Sequence, residues 1–227
     1  MFRREDFLDF KMTRAKVVAQ SIMYHAYEQD PTIGIVRITG FDLGTPAQFK
    51  NACETLMKDG ATRFIFDVRY NPGGDLSAIT DILDYLLPEG PIVRIVDKEG
   101  KEVTYGSDAD ELDVPMCVLV NGNTASAAEL FSSALQDYKK ATIIGTVTFG
   151  KGTVQQILSL GDGSGIGISY RMYCPPFSDN YEGVGVQPDV VLELDESLAE
   201  KNIYLITDEE DNQLQKAVEI LNGENDK

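Results

Sequence analysis

From Thr32 onward, short runs of apolar, β-branched residues alternate with stretches whose apolar positions recur every three to four residues, the order expected of α/β architecture. Residues 33–38 read as a strand. Thr45 followed by Pro46 opens a helix that runs to about Lys58 and stops at Gly60. Residues 63–68 form a buried strand, and Asp75 caps a helix whose Leu76, Ile79, Ile82, Leu83 and Leu86 share one face. Residues 92–96 and 102–105 flank Lys98-Glu99-Gly100 as a hairpin. The apolar strand 116–120 leads straight through Asn121-Gly122-Asn123-Thr124 into a helix from about Ala125 to Tyr138. A strand at 141–145 follows, and the runs 154–160 and 166–173 flank Gly161-Asp162-Gly163-Ser164-Gly165 as a second hairpin. Residues 208–221 form a last amphipathic helix, with acidic residues in a first turn that suits the helix dipole. Residues 11–23, with Val17, Val18 and Ile22, lean toward strand without a clear assignment, and no internal repeat is present.

At 227 residues and 43% apolar content the chain can bury a full core without disulfides. Its net charge of -17 repels phosphate backbones and anionic lipid, which argues against nucleic-acid and membrane-surface partners. Cys53, Cys117 and Cys174 are odd in number and show no C-x-x-C or zinc spacing, so Cys53 and Cys117 read as small core residues. Neither a metal nor a cofactor is expected. The first ten residues are charged and lack the apolar stretch of a secretory signal, and no run reaches the length of a membrane span.

The chain has one histidine, His25, so a hydroxyl nucleophile has little access to imidazole. It does have Ser126 at a helix opening and, 25 positions later, Lys151 in T-F-G-K-G-T-V-Q. A neutral lysine can accept a serine proton. Ser126 lies beside a positive helix end and the backbone N–H of Ala127, which the helix does not use and which suits an oxyanion. A second donor is expected from Asn71-Pro72-Gly73-Gly74, where glycine lets backbone approach a substrate closely; Gly73 is the favoured glycine and Gly74 the alternative. Lys151 must be uncharged to work as a base, and Phe149, Gly150 and Gly152 supply surroundings without competing charge. Gln155, four residues on, orients the amine through its carbonyl without holding it as ammonium. Each piece has a plainer use: S-A-A-E is also a capping box of Ser126 with Glu129, a Gly-Gly pair is a turn, and a lysine is a surface charge. Their combination favours a Ser-Lys hydrolase.

The same segments carry a family resemblance. F-D-V-R-Y-N-P-G-G at 66–74, V-L-V-N-G-N-T-A-S-A-A-E-L at 118–130, A-L-Q-D-Y at 134–138, T-F-G-K-G-T-V-Q at 148–155 and G-V-G-V-Q-P-D at 183–189 resemble the carboxyl-terminal processing (tail-specific) proteases. The resemblance covers roughly residues 10–222 and implies a crotonase/ClpP-like ββα spiral core with appended β-hairpins and terminal segments. By position it makes Ser126 the nucleophile, Lys151 the general base, Gln155 the orienting residue, and Ala127 with Gly73 or Gly74 the oxyanion hole. It implies cleavage of polypeptides near accessible C-termini through an acyl-enzyme, a possible homo-oligomer, and an extracytoplasmic setting for which no signal peptide is visible. In the family a PDZ domain precedes the stretch that looks like residues 10–17, and here nine residues stand before it. The expected division is therefore an N-terminal segment at 1–30 and a catalytic core at 31–227 that ends in a C-terminal helix. Two other readings share the scaffold: a non-catalytic module binding peptide or apolar ligands, and a crotonase-like enzyme acting on thioesters. The absence of an evident basic cluster for a nucleotide disfavours the second.

Overall fold

The computed structural model describes residues 2–3, 6–7, 11–14, 19–198 and 200–223. Phe10, Val17 and Val18, on which part of the N-terminal reading rests, lie outside the described residues. Two short strands, β1 (Phe2–Arg3) and β2 (Asp6–Phe7), pair antiparallel. Then come β3 (Ile22–Ala26), β4 (Ile33–Ile38), α1 (Thr45–Lys58), β5 (Arg63–Asp67), α2 (Leu76–Leu86), β6 (Gly90–Asp97) and β7 (Glu102–Ser107). The chain continues through β8 (Met116–Val120), α3 (Ala127–Asp137), β9 (Ala141–Gly145), β10 (Thr153–Ser159), β11 (Gly165–Cys174), β12 (Val190–Val191) and α4 (Asn212–Leu221).

The main sheet has the order β12-β9-β8-β5-β4-β3, parallel except for the antiparallel edge strand β3. Parallel strands joined by helical crossovers are covered on both faces, which is why their sequences are continuous apolar runs and not alternating ones. Every residue of β8 is buried. One face carries α1, α2 and α3 over a large cluster that includes Phe49, Phe66, Leu83 and Phe131; Phe66 meets the Phe131 ring edge-on at 5.7 Å. The other face is closed by α4, with Leu214, Ala217 and Val218 against Ile35, Ile65, Leu119 and Ile144. A second sheet, β10-β11-β6-β7, is wholly antiparallel and joins the core through Ile92, Val93 and Ile95 of β6. The alternation of strands and helices and both hairpins thus stand where the periodicity places them.

Three boundaries differ from expectation, each for a local reason. α3 begins at Ala127, because Ser126 has φ 59 and ψ -121, outside the helical region. α4 begins at Asn212: the Asp211 side chain accepts the N–H groups of Gln213 and Leu214, so the acidic residues 208–210 precede the helix instead of forming its first turn. Ile22 belongs to β3, an edge strand of the main sheet. All three cysteines are free and buried, and burial pushes the thiols of Cys53 and Cys117 up to about 12. No helix among the described residues is long and apolar enough to cross a membrane.

Candidate active site

β8 delivers the chain to a tight turn at its carboxyl end, where ligand sites gather in parallel sheets. Asn121 N–H donates to Thr124 Oγ1 at 3.0 Å, and Thr124 Oγ1 donates to the Val68 carbonyl at 2.9 Å, which pins the turn to the end of the neighbouring strand β5. Ser126 follows in a strained conformation directly before α3, a strand–turn–helix elbow that lifts its side chain off the sheet. Behind it, α3 is buried from Ala127 to Leu135.

The loop after β5 packs against this elbow. Ala125 N–H donates to the Asn71 carbonyl at 2.9 Å, and the buried Asn71 side chain reaches back to the Ile38 carbonyl at 2.8 Å. A Cβ on Gly73 would stand 2.7 Å from Ser126 Cβ and 2.8 Å from Ala127 N, so glycine is required there for contact, not only for its φ of +96°. The two glycines differ in one respect that sequence does not reveal. Gly73 is buried and donates its N–H to Asn71 Oδ1 at 2.8 Å, whereas Gly74 is exposed, lines the cavity beside Ser126 and makes no hydrogen bond through its N–H among the described residues. The Ala127 N–H is likewise unused.

Lys151 stands on a Gly150-Lys151-Gly152 loop that leads into β10. Gly150 has φ +88° and packs against the backbone of residues 183–185, while a Cβ on Gly152 would meet the Asn180 amide at 2.4 Å. The G-V-G-V-Q-P-D segment therefore acts as a backing for this loop: Gly183 N–H donates to the Gly150 carbonyl at 2.8 Å, and Val186 N–H to Thr148 Oγ1 at 2.7 Å. Lys151 Nζ donates to Gln155 Oε1 at 3.1 Å. A register slip after Val154 leaves Tyr170 of β11 unopposed, and such bulges re-aim neighbouring side chains. The surroundings are wetter than the residue types suggest, since Lys151 is half-buried, Gln155 is exposed and the Phe149 ring is 64% exposed.

What joins the two halves is Glu129. It is fully buried at the third position of α3. Its Oε2 accepts the N–H groups of both Ser126 and Lys151, each at 2.8 Å, and its Oε1 accepts Gly150 N–H at 2.6 Å and the Thr148 hydroxyl at 2.5 Å. One carboxylate thus holds the backbone of the candidate nucleophile and of the candidate base. The capping-box reading of Glu129 and the catalytic reading of Ser126 are one arrangement and not rivals. Ser126 and Lys151 line a common cavity of about 340 Å³ with apolar walls from Leu76, Leu130 and Val154. Among the described residues no hydrogen bond links Lys151 Nζ to Ser126 Oγ; the partner of Ser126 Oγ is the Tyr173 hydroxyl at 2.8 Å. Tyr173 was not evident from sequence, where it only ends an apolar run before Cys174-Pro175; the fold brings it to the site through β11.

A buried ion network lies between the end of β5 and the start of α4. Asp67 accepts from Arg69 Nε at 2.9 Å and from Arg37 Nε at 2.9 Å, and Arg69 also reaches Asp211 at 2.6 Å and Gln213 at 2.8 Å, tying β5 to the start of α4. Burial alone would raise the Asp67 carboxyl, but the Arg69 and Arg37 charges and the bonds they donate lower it to about 2.

The family model Peptidase family S41 matches residues 32–192. A carboxyl-terminal-processing protease of Synechocystis is 35% identical over 219 residues, 95% of this chain and 50% of that protein. The chloroplastic C-terminal processing peptidase of Tetradesmus obliquus is 36% identical over 183 residues, 80% of this chain and 39% of its own length. The solved structure titled photosystem II D1 C-terminal processing protease superposes with a TM-score of 0.70 at 34% identity, covering 80% of this chain and 50% of that one. The chain thus spans about half the length, or less, of these relatives. Its α/β architecture, in keeping with a crotonase/ClpP-like core, is theirs, and the match through both halves of the site assigns it: the chain belongs to peptidase family S41.

Proposed function

We propose that the chain is the catalytic core of a serine endopeptidase that cleaves polypeptides near their C-termini with Ser126 as nucleophile and Lys151 as base. The observation that carries this reading is the Glu129 carboxylate, which fixes the backbone of both residues at the rim of one cavity. The preference for C-terminal sites follows the names of the relatives.

The chemistry assigns each group a task. Neutral Lys151 Nζ takes the Ser126 proton as Oγ bonds to the scissile carbonyl carbon and the carbonyl electron pair moves onto oxygen. That oxyanion is met by the N–H of Ala127 and by a glycine N–H, for which Gly74 is favoured over Gly73 because Gly74 lines the cavity and its N–H has no hydrogen-bond partner among the described residues, whereas that of Gly73 is bound to Asn71. Collapse of the intermediate expels the amine, which takes the proton from Lys151, and water then attacks the acyl-enzyme with Lys151 again as base. Gln155 Oε1 accepts from Nζ and so holds the amine's direction throughout. Residues 1–30 lead into this core at 31–227 and lend it β3, the edge strand of its main sheet. The excess of acidic residues favours neutral or cationic polypeptide substrates over nucleic acid.

Ser126→Ala and Lys151→Ala are each expected to abolish cleavage of an unstructured peptide while leaving the melting temperature near that of the parent. Lys151→Arg is expected not to rescue, because guanidinium stays charged. Turnover retained in Lys151→Ala overturns the assignment of the base. Failure of a fluorophosphonate to label Ser126 favours the non-catalytic module, and acyl-CoA binding by titration favours the thioester reading.

A further inference from the structure

We propose that Tyr173 is a positioning residue for Ser126: at rest its phenol oxygen takes the hydrogen bond of the serine hydroxyl, and Ser126 must leave it before Lys151 can act. The inference rests on the Ser-Lys reading above and adds a step that precedes its chemistry.

The argument is one of proton counting. The heavy-atom geometry aims the Tyr173 hydroxyl as donor at two oxygens at once, Ser126 Oγ at 2.8 Å and the Lys151 carbonyl at 2.7 Å, and one proton cannot serve both fully. A phenol has one proton, and a carbonyl only accepts. If Tyr173 gave its proton to Ser126, two oxygens with only lone pairs would face each other at 2.7 Å. The arrangement that satisfies every group is a chain in which Ser126 O–H donates to Tyr173 and Tyr173 O–H donates to the Lys151 carbonyl. The serine proton then points at a phenol and away from the amine, in keeping with the missing bond between Nζ and Oγ. Nζ meanwhile is engaged by Gln155.

Tyr173 is held firmly enough to impose this. Its N–H donates to the Gly152 carbonyl at 3.1 Å, Asn180 Nδ2 bridges the carbonyls of Tyr173 and Gly152 at 2.8 Å each, and its ring packs edge-on against Tyr181 at 6.0 Å between centroids. The ring is 5% exposed, and burial pushes its hydroxyl well above the usual phenol range, so it does not act as a proton acceptor by ionising first. Both of its hydrogen bonds end on residues 126 and 151, so the same phenol that bridges the two segments also keeps their reactive atoms apart.

The test uses a fluorophosphonate probe, which reads the reactivity of Ser126 without a peptide substrate. Tyr173→Phe removes one oxygen and keeps the ring. Ser126 labelling in this variant is expected to be about two- to tenfold faster than in the parent, the factor that one neutral hydrogen bond represents, with Lys151→Ala in either background abolishing it. A loss of structure alone slows labelling, so a rise is not a stability effect. Labelling of the parent at Ser126 with an unchanged or slower rate in a folded Tyr173→Phe protein overturns the inference and leaves the dyad standing. No labelling in either protein overturns the dyad and the inference together. If the variant does not fold, the structure of the parent's phosphonate adduct decides: Ser126 Oγ beyond hydrogen-bond reach of Tyr173, with the Lys151 carbonyl still bonded to the phenol, supports the inference, and Oγ still bonded to Tyr173 refutes it.

Discussion

The candidate nucleophile, Ser126, and the candidate base, Lys151, sit in regions of opposite character. Ser126 tops a strand buried on both faces and opens a helix buried for nine consecutive residues, from Ala127 to Leu135. Lys151 enters a hairpin, β10–β11, in which Ile157 is 81% exposed and Leu160, Ile166, Ile168 and Met172 are each more than 40% exposed. One half of the proposed dyad is therefore packed into the core, while the other is carried on an element with few buried contacts, the kind that opens at low free-energy cost. Glu129 and Tyr173 are the side chains that bridge them by hydrogen bonds, Glu129 by accepting from backbone on both sides and Tyr173 by linking a carbonyl to a hydroxyl. In the proposed dyad, disengagement would require only the peripheral half to move.

The largest effect should come from cutting the bridge. Glu129→Ala leaves the N–H groups of Ser126, Gly150 and Lys151 and the Thr148 hydroxyl without their acceptor. Peptide cleavage is expected to fall below detection, with a loss of about 3 kcal/mol or more in urea unfolding; a variant that keeps full activity would show that the two halves are aligned by something else. Next in size is the core half itself. Phe66→Ala removes a fully buried ring that touches Phe49, Phe64 and Phe131, and should cost about 3–5 kcal/mol in the same assay.

The buried Asp67–Arg69 network gives an intermediate effect with a defined sign. The Asp67 carboxyl is lowered to about 2 in the folded protein against an unfolded value near 4, so its contribution is fully present above pH ~4 and is lost as pH falls toward 2. Acid titration of the melting transition should show a drop worth about 2–3 kcal/mol across that window, and the drop should be absent in Asp67→Asn, which is already destabilised at neutral pH. Smallest of all is the hairpin tip. Ile157→Ser is expected to change stability by no more than about 0.5 kcal/mol, and a cost comparable to that of Phe66→Ala would erase the contrast between the two regions.

Much of the fold is legible in the sequence. Continuous apolar runs bounded by Gly, Pro and Asn marked β4, β8 and β9 to the residue, because a strand covered on both faces leaves no other pattern. Pro46 and Asp75 placed the starts of α1 and α2 for the equally local reason that capping chemistry is short-range. The elbow at Ser126 was harder, since its positive φ is a strain that propensity argues against and that only the surrounding contacts can sustain. α4 starts four residues later than the sequence suggests, because Asp208 and Asp211 are alike as caps in sequence and only the fold binds Arg69 to one of them.

The candidate site residues Ser126, Lys151 and Gln155, and the strand–turn–helix that presents the serine, are read from residue type and local spacing, which act over a few residues and are written in order along the chain. Long-range approach is not written that way. That Glu129 would accept from residue 151, that Gly73 would spend its N–H on Asn71 while that of Gly74 has no partner among the described residues, and that a tyrosine 47 positions from the serine would lie 2.8 Å from its oxygen follow only from how the sheets and loops pack. Hydrogen bonds are decided by tenths of an ångström, and only the folded chain sets distances on that scale.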